Sequence, residues 1–122
     1  MFTHYDIYDS SDVKRAEGHK ASFCLEDNDC VDGVRPKFKC ANYGDQGISF
    51  GCVDTYLAKI DCQWIDITDL PPGQYKFQLS VNAEMKISEI SFDNNAAICT
   101  LDYNGVAARL HNCVVTKIMH LK

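Results

Sequence analysis

The stretch Leu70-Pro71-Pro72-Gly73, followed by Gln74-Tyr75-Lys76-Phe77-Gln78-Leu79-Ser80-Val81, carries the clearest structural signal in the chain. The Pro-Pro-Gly run is a turn. After it, Tyr75, Phe77, Leu79 and Val81 alternate with Gln74, Lys76, Gln78 and Ser80, the period-two pattern of a half-buried strand. Downstream, Met85 to Phe92 alternates again, with Ile87 and Ser91 spaced by polar residues, and Asn94-Asn95 punctuates it. Ala97 to Tyr103 and Ala107 to Val115 read as two further strands, joined through Asn104-Gly105, a hairpin-turn dipeptide. Cys99 and Cys113 flank that turn and suit a staple across the hairpin. Upstream, Cys62 to Thr68 alternates, with Trp64 and Asp66 on one face and Ile65 and Ile67 on the other.

The front of the chain is less regular. Phe2 to Tyr8 mixes aromatic and β-branched residues and reads as a strand. Asp12 to Ala21 is polar, and Gly18 breaks any helix there. Cys24 to Cys52 is dense in Gly, Asp, Asn and Pro and carries four cysteines, the composition of loops held by cross-links. A short strand fits within Gly47 to Val53. The fold class expected is mainly β: an antiparallel sandwich or meander with a loop-rich, disulfide-stapled N-terminal half.

The 122 residues fit one domain, and a hydrophobic content of 46% requires a core. No apolar run approaches the roughly 20 residues of a membrane span. Met1 to Tyr8 lacks the basic start and apolar stretch of a signal peptide. A net charge of −5 argues against nucleic-acid binding and is compatible with cationic partners. The seven cysteines include no Cys-x-x-Cys pair, which disfavours zinc and thioredoxin-like motifs. Spaced this way in a small domain, they indicate disulfides and an oxidising compartment. The alternative is a reduced intracellular chain with buried thiols. The odd count and the missing export signal are both explained if the chain is a piece of a longer protein.

Several strings closely resemble the lysyl oxidase family: Glu17 to Asp27 (EGHKASFCLED), Gly44 to Ile48 (GDQGI), Asp54 to Tyr56 (DTY) and Ile60 to Thr68 (IDCQWIDIT). The Pro-Pro-Gly turn and Asp93-Asn94-Asn95 match as well. The similarity weakens after Cys113, and the cysteine spacing resembles the lysyl oxidase-like branch. The resemblance implies that residues 1–122 are a partial catalytic domain whose N-terminal part is missing.

The family builds its cofactor, lysine tyrosylquinone, from its own side chains. By resemblance the precursors here are Lys20 and Tyr56. The implied activity is that of a secreted, copper-dependent protein-lysine 6-oxidase. Peptidyl lysine in collagen, elastin or other matrix proteins becomes an aldehyde, and ammonia and hydrogen peroxide are released. The family's copper ligands form a His-x-His-x-His cluster just before the FTHYD segment, so none is assigned in this chain, whose histidines are His4, His19, His111 and His120. His4 and His19 are candidates for supporting groups near the metal. Asp54 and Asp61 are candidates for the catalytic base, against a turn-capping role. The resemblance further implies disulfides Cys24–Cys40, Cys30–Cys52 and Cys99–Cys113, with Cys62 bonded to a cysteine upstream. It implies a calcium site at Glu89, Ser91, Asn94 and Asn95, where Ser91 replaces an expected carboxylate. Cys52, Cys62, Trp64, Cys99 and Cys113 resemble a cytokine-receptor-like signature, which equally describes a tryptophan packed in the core beside cross-links. The competing reading is a non-catalytic extracellular binding module on the same scaffold, for which retaining both Lys20 and Tyr56 would serve no chemical purpose.

Overall fold

The computed structural model describes residues 3–20, 24–41, 44–55 and 64–119, with the backbone alone for 19 and 20. The chain forms two compact units, one from residues 1–21 and 63–122 and the other from residues 22–62. The first contains strands β1 (Thr3–Tyr8), β2 (Lys14–Lys20), β5 (Gly73–Val81), β6 (Ala96–Tyr103) and β7 (Ala108–Thr116). They form one antiparallel sheet in the order β2-β1-β5-β6-β7. The second contains a two-stranded ribbon of β3 (Asp29–Cys30) and β4 (Cys52–Val53). The mainly β, antiparallel expectation holds. Strands β5 to β7 form the meander.

The alternation in residues 74–81 places Tyr75 and Phe77 against a core of Ile7, Leu70 and Leu101, joined by Ala16, Ile65, Ile67 and Tyr103. The opposite face, read from sequence as the polar one, is also covered: Gln78 is 2% exposed and Ser80 3%. Gln78 is accommodated there because its amide pairs with both backbone groups of Met119. Its Nε2 donates to the Met119 carbonyl (3.2 Å) and its Oε1 accepts from the Met119 N–H (3.0 Å). The polar face of β5 is therefore a docking site for the stretch that follows β7, and every buried polar side-chain atom among the described residues has a partner.

Four sequence expectations change. Residues 14–20 form a strand, although Asp12 to Ala21 showed no apolar alternation. As the sheet edge, β2 needs mainly the ladder to β1, and only Ala16 joins the core. Gly18 has a packing reason: a Cβ there would lie 2.9 Å from both Ile65 Cγ1 and the Trp64 carbonyl oxygen. Residues 64–68 do not form a strand. Ile65 and Ile67 do turn inward, but Asp66 Oδ1 accepts from the Thr68 N–H (2.9 Å) and hydroxyl (2.5 Å), a local turn that replaces a ladder. Trp64 is 74% exposed, so the core-packing reading of this residue fails.

The strand expected over Met85 to Phe92 is a loop. Asn82 explains it: its Nδ2 donates to the Ile87 carbonyl (2.7 Å) and its Oδ1 accepts from the Ile87 N–H (3.2 Å). A side-chain amide thus occupies the backbone groups that a neighbouring strand would use, and Met85, Ile87 and Ile90 are exposed. In the short strand expected within Gly47 to Val53, only Cys52–Val53 pairs.

The Asn104-Gly105 turn forms as read. Asn104 Oδ1 accepts from the N–H groups of Val106 (2.9 Å) and Ala107 (2.7 Å), and Gly105 takes φ +93°, where a side chain would be strained. The β6–β7 ladder shifts register between Ile98 and Thr100 opposite Asn112, whose φ is +51°. This bulge lies beside the Cys99–Cys113 disulfide.

Replacing Gln78 with Leu removes both bonds to Met119 and leaves the Met119 N–H and carbonyl without these partners. The expected loss is about 1–3 kcal/mol in urea unfolding. An unchanged midpoint would show that the face is wet rather than packed.

Candidate functional site

The second unit is held by covalent staples and by one buried carboxylate. Cys24–Cys40 and Cys30–Cys52 both form, closing loops of 16 and 22 residues. Loops of this size contribute about 3 kcal/mol each by restricting the unfolded chain. Between them, Asp27 is 7% exposed and accepts four hydrogen bonds. Its Oδ2 takes the Lys37 N–H (2.8 Å), the Phe38 N–H (3.1 Å) and the Ser49 hydroxyl (2.7 Å), and its Oδ1 takes the Ser49 N–H (2.7 Å). Burial opposes the charge, but the hydroxyl and three N–H donors outweigh it and hold the carboxyl well below the ordinary aspartate range.

A second knot fixes the residues leading to Tyr56. Asp54 Oδ2 accepts from the Glu26 N–H (3.1 Å) and its Oδ1 from Asn28 Nδ2 (2.8 Å). Asn28 in turn brackets Thr55, accepting its N–H (3.0 Å) and donating to its carbonyl (3.3 Å). Asp54 thus accepts from residues far from it in sequence and ties the two ends of the loop region together. Tyr56, Asp61 and Cys62 lie outside the described residues. Lys20 is the last residue of β2, in register with Thr3 of β1. His19 stands in register with His4 on the same pair of strands.

The sequence-derived calcium set is brought together only in part. Glu89 Oε2 accepts from Asn82 Nδ2 (2.7 Å) and Asn95 Nδ2 (2.5 Å), and the latter also donates to the Val81 carbonyl (3.3 Å). Amide donors, rather than further oxygens, converge on the carboxylate. Ser91 Oγ accepts the Asp93 N–H (3.1 Å). This arrangement satisfies itself and adds no support for calcium. Sequence reading missed Asn82, whose buried amide organises the cluster. Elsewhere, His111 Nε2 lies 2.6 Å from Asp102 Oδ2 across β6 and β7, and Gln74 Nε2 donates to Asp102 Oδ1 (3.0 Å). The Gln74 bond first, then His111, holds the Asp102 carboxyl below its usual range. Among the described residues, no three His, Cys, Asp or Glu side chains converge as a metal site. His120 lies outside them.

The charge on Asp27 sets a sign for acid stability. Its folded pKa is depressed, so its stabilisation is present above the unfolded aspartate value near ~3.9 and is lost as pH falls below it. In Asp27→Asn, amide exchange at Lys37, Phe38 and Ser49 should accelerate at neutral pH, and protection there should no longer fall between about pH 4 and lower values. Unchanged protection would mean that the disulfides alone hold the loops.

Comparison with known proteins agrees with the resemblance carried by the sequence strings. The lysyl oxidase family model matches residues 1–113. Lysyl oxidase homolog 3B of Danio rerio is 54% identical over 113 residues, covering 93% of this chain and 14% of that protein. Lysyl oxidase homolog 4 of Bos taurus and lysyl oxidase homolog 3 of Homo sapiens are each 51% identical, over 93% of this chain and 15% of theirs. The match ends at Cys113, where the sequence resemblance weakens, and the chain spans about one-seventh of the length of these relatives. The chain belongs to the lysyl oxidase family.

Proposed function

We propose that this chain is the C-terminal part of the catalytic domain of a secreted, copper-dependent protein-lysine 6-oxidase, with Lys20 and Tyr56 as the precursors of lysine tyrosylquinone. The observation that carries this reading is the continuous family match over residues 1–113, which contains Lys20 within EGHKASFCLED and Tyr56 within DTY. A module kept only for binding has no use for that pair. Three disulfides, Cys24–Cys40, Cys30–Cys52 and Cys99–Cys113, favour an oxidising, extracellular setting. Cys62 then pairs with a cysteine outside this sequence.

Once formed, the quinone supplies an electrophilic carbonyl that accepts electrons from the carbon bearing a primary amine. The chain's own residues supply its mounting. The β1–β2 ladder fixes the backbone at Lys20, and Asn28 and Asp54 fix the backbone up to Thr55. By the family resemblance, the metal would be held by the His-x-His-x-His segment that the family carries before FTHYD. The substrate class is peptidyl lysine in matrix proteins such as collagen or elastin, a cationic partner compatible with a net charge of −5. Dioxygen and water are consumed, and the products are the aldehyde, ammonia and hydrogen peroxide.

Hydrogen peroxide release from a primary amine tests this reading on two forms, the 122-residue chain and a longer protein that includes the His-x-His-x-His segment. The longer protein, loaded with copper, should release peroxide, and Lys20→Arg or Tyr56→Phe should each reduce it to background. The 122-residue chain alone should bind copper weakly and release none. Sustained turnover by that chain, or by either variant, would contradict the proposal.

A further inference from the structure

Seventeen acidic residues face twelve Lys and Arg in this chain. Most cations described outside one short segment are neutralised: Lys14 by Asp6 and Glu17, Arg15 by Asp9, Lys76 by Asp12 and Lys86 by Glu84. Residues 35–39, Arg-Pro-Lys-Phe-Lys, break this rule. Arg35, Lys37 and Lys39 are all exposed, and among the described residues none of the three has a carboxylate within ion-pair distance. In an acid-rich chain, three unpaired cations at alternate positions are a local reversal of charge.

The backbone beneath them is fixed. Asp27 accepts the N–H groups of Lys37 and Phe38, the Asp27 N–H donates to the Phe38 carbonyl (2.9 Å), and Cys40 is bonded to Cys24. Pro36 restricts its own φ and keeps Arg35 extended. The Phe38 ring packs on Gly47, so closely that a Cβ there would lie 2.9 Å from it, and the Lys37 ammonium sits 5.2 Å from the centre of that ring. The cations are therefore presented on a clamped segment, and an anion that binds them need not order the chain first.

We propose that residues 35–39 form a docking strip for a linear sulfated polysaccharide. Sulfate groups repeated along a chain match cations repeated along an extended segment, and Arg35 offers the planar fork that suits an oxyanion. The disulfides favour an oxidising, extracellular setting, where such polymers occur. A membrane surface fits less well, because the one aromatic side chain between the cations, Phe38, is turned onto Gly47. A single-stranded nucleic acid would need exposed aromatic rings for stacking, and the strip has none. This inference does not depend on the oxidase reading.

Heparin affinity tests it on the 122-residue chain. The chain should be retained on immobilised heparin at low salt. Arg35→Gln/Lys37→Gln/Lys39→Gln should pass through, while Lys86→Gln/Lys117→Gln, which removes two cations elsewhere, should be retained. The slope of log affinity against log salt should fall in magnitude by about two to three in the triple variant and by about one in Lys39→Gln alone. Lys37→Arg/Lys39→Arg should bind like the parent. The Asp27 clamp uses main-chain N–H groups, so these variants should keep the parent's disulfides and melting point. No retention of the parent, or equal retention of the triple variant, overturns the proposal. Equal or tighter binding to desulfated heparin, single-stranded DNA or anionic phosphatidylserine vesicles overturns the assignment to a sulfated polysaccharide.

Discussion

Strand β5 is the constraint on which the first unit depends. It is bonded on both sides, to β1 and to β6, so its main chain has no free edge. Both of its faces are also covered, and by different means. Tyr75 and Phe77 meet Ile7, Leu70 and Leu101 through apolar contact. Gln78 and Ser80 are buried more deeply than either ring, and Gln78 replaces lost water with paired bonds to Met119. The first face supplies the hydrophobic term. The second ties the stretch after β7 to the sheet through the Gln78 amide.

The second unit solves a different problem. Among its described residues Leu25 and Cys52 are the buried apolar ones, and two disulfides and the Asp27 carboxylate tie the loops together. Rigidity of this kind suits a loop that must deliver a particular side chain, since the Asn28–Asp54–Thr55 knot fixes the main chain just ahead of Tyr56. It also leaves the surface free to carry unpaired charge, as residues 35–39 do.

What was legible in the sequence follows from the range of the forces involved. The strands β1, β5, β6 and β7, the Asn104-Gly105 turn and the three disulfides all followed from local alternation, turn chemistry or family resemblance. The misreadings share a physical cause. Met85 to Phe92 and Cys62 to Thr68 alternate like strands, but Asn82 and Asp66 capture nearby groups that strand neighbours would have used. Strand β2 was missed because an edge strand is specified by its partner and has little pattern of its own. The burial of Gln78 could not be read from period two, which marks it as solvent-facing. Of the proposed site, Lys20 and Tyr56 are candidates through resemblance alone, because a lysine and a tyrosine far apart in sequence carry no spacing signal. The roles of Asp27 and Asn28 depend on contacts across the fold of the second unit.

The account rests on Lys20 and Tyr56 ending as one cofactor in the mature enzyme. Peptide mapping by mass spectrometry of the longer, copper-loaded protein addresses this directly. A single cross-linked species joining the peptide with Lys20 to the peptide with Tyr56, sensitive to quinone-reactive hydrazines, is the result predicted. Active enzyme yielding those two peptides unlinked, or a link through another lysine or tyrosine, would contradict it.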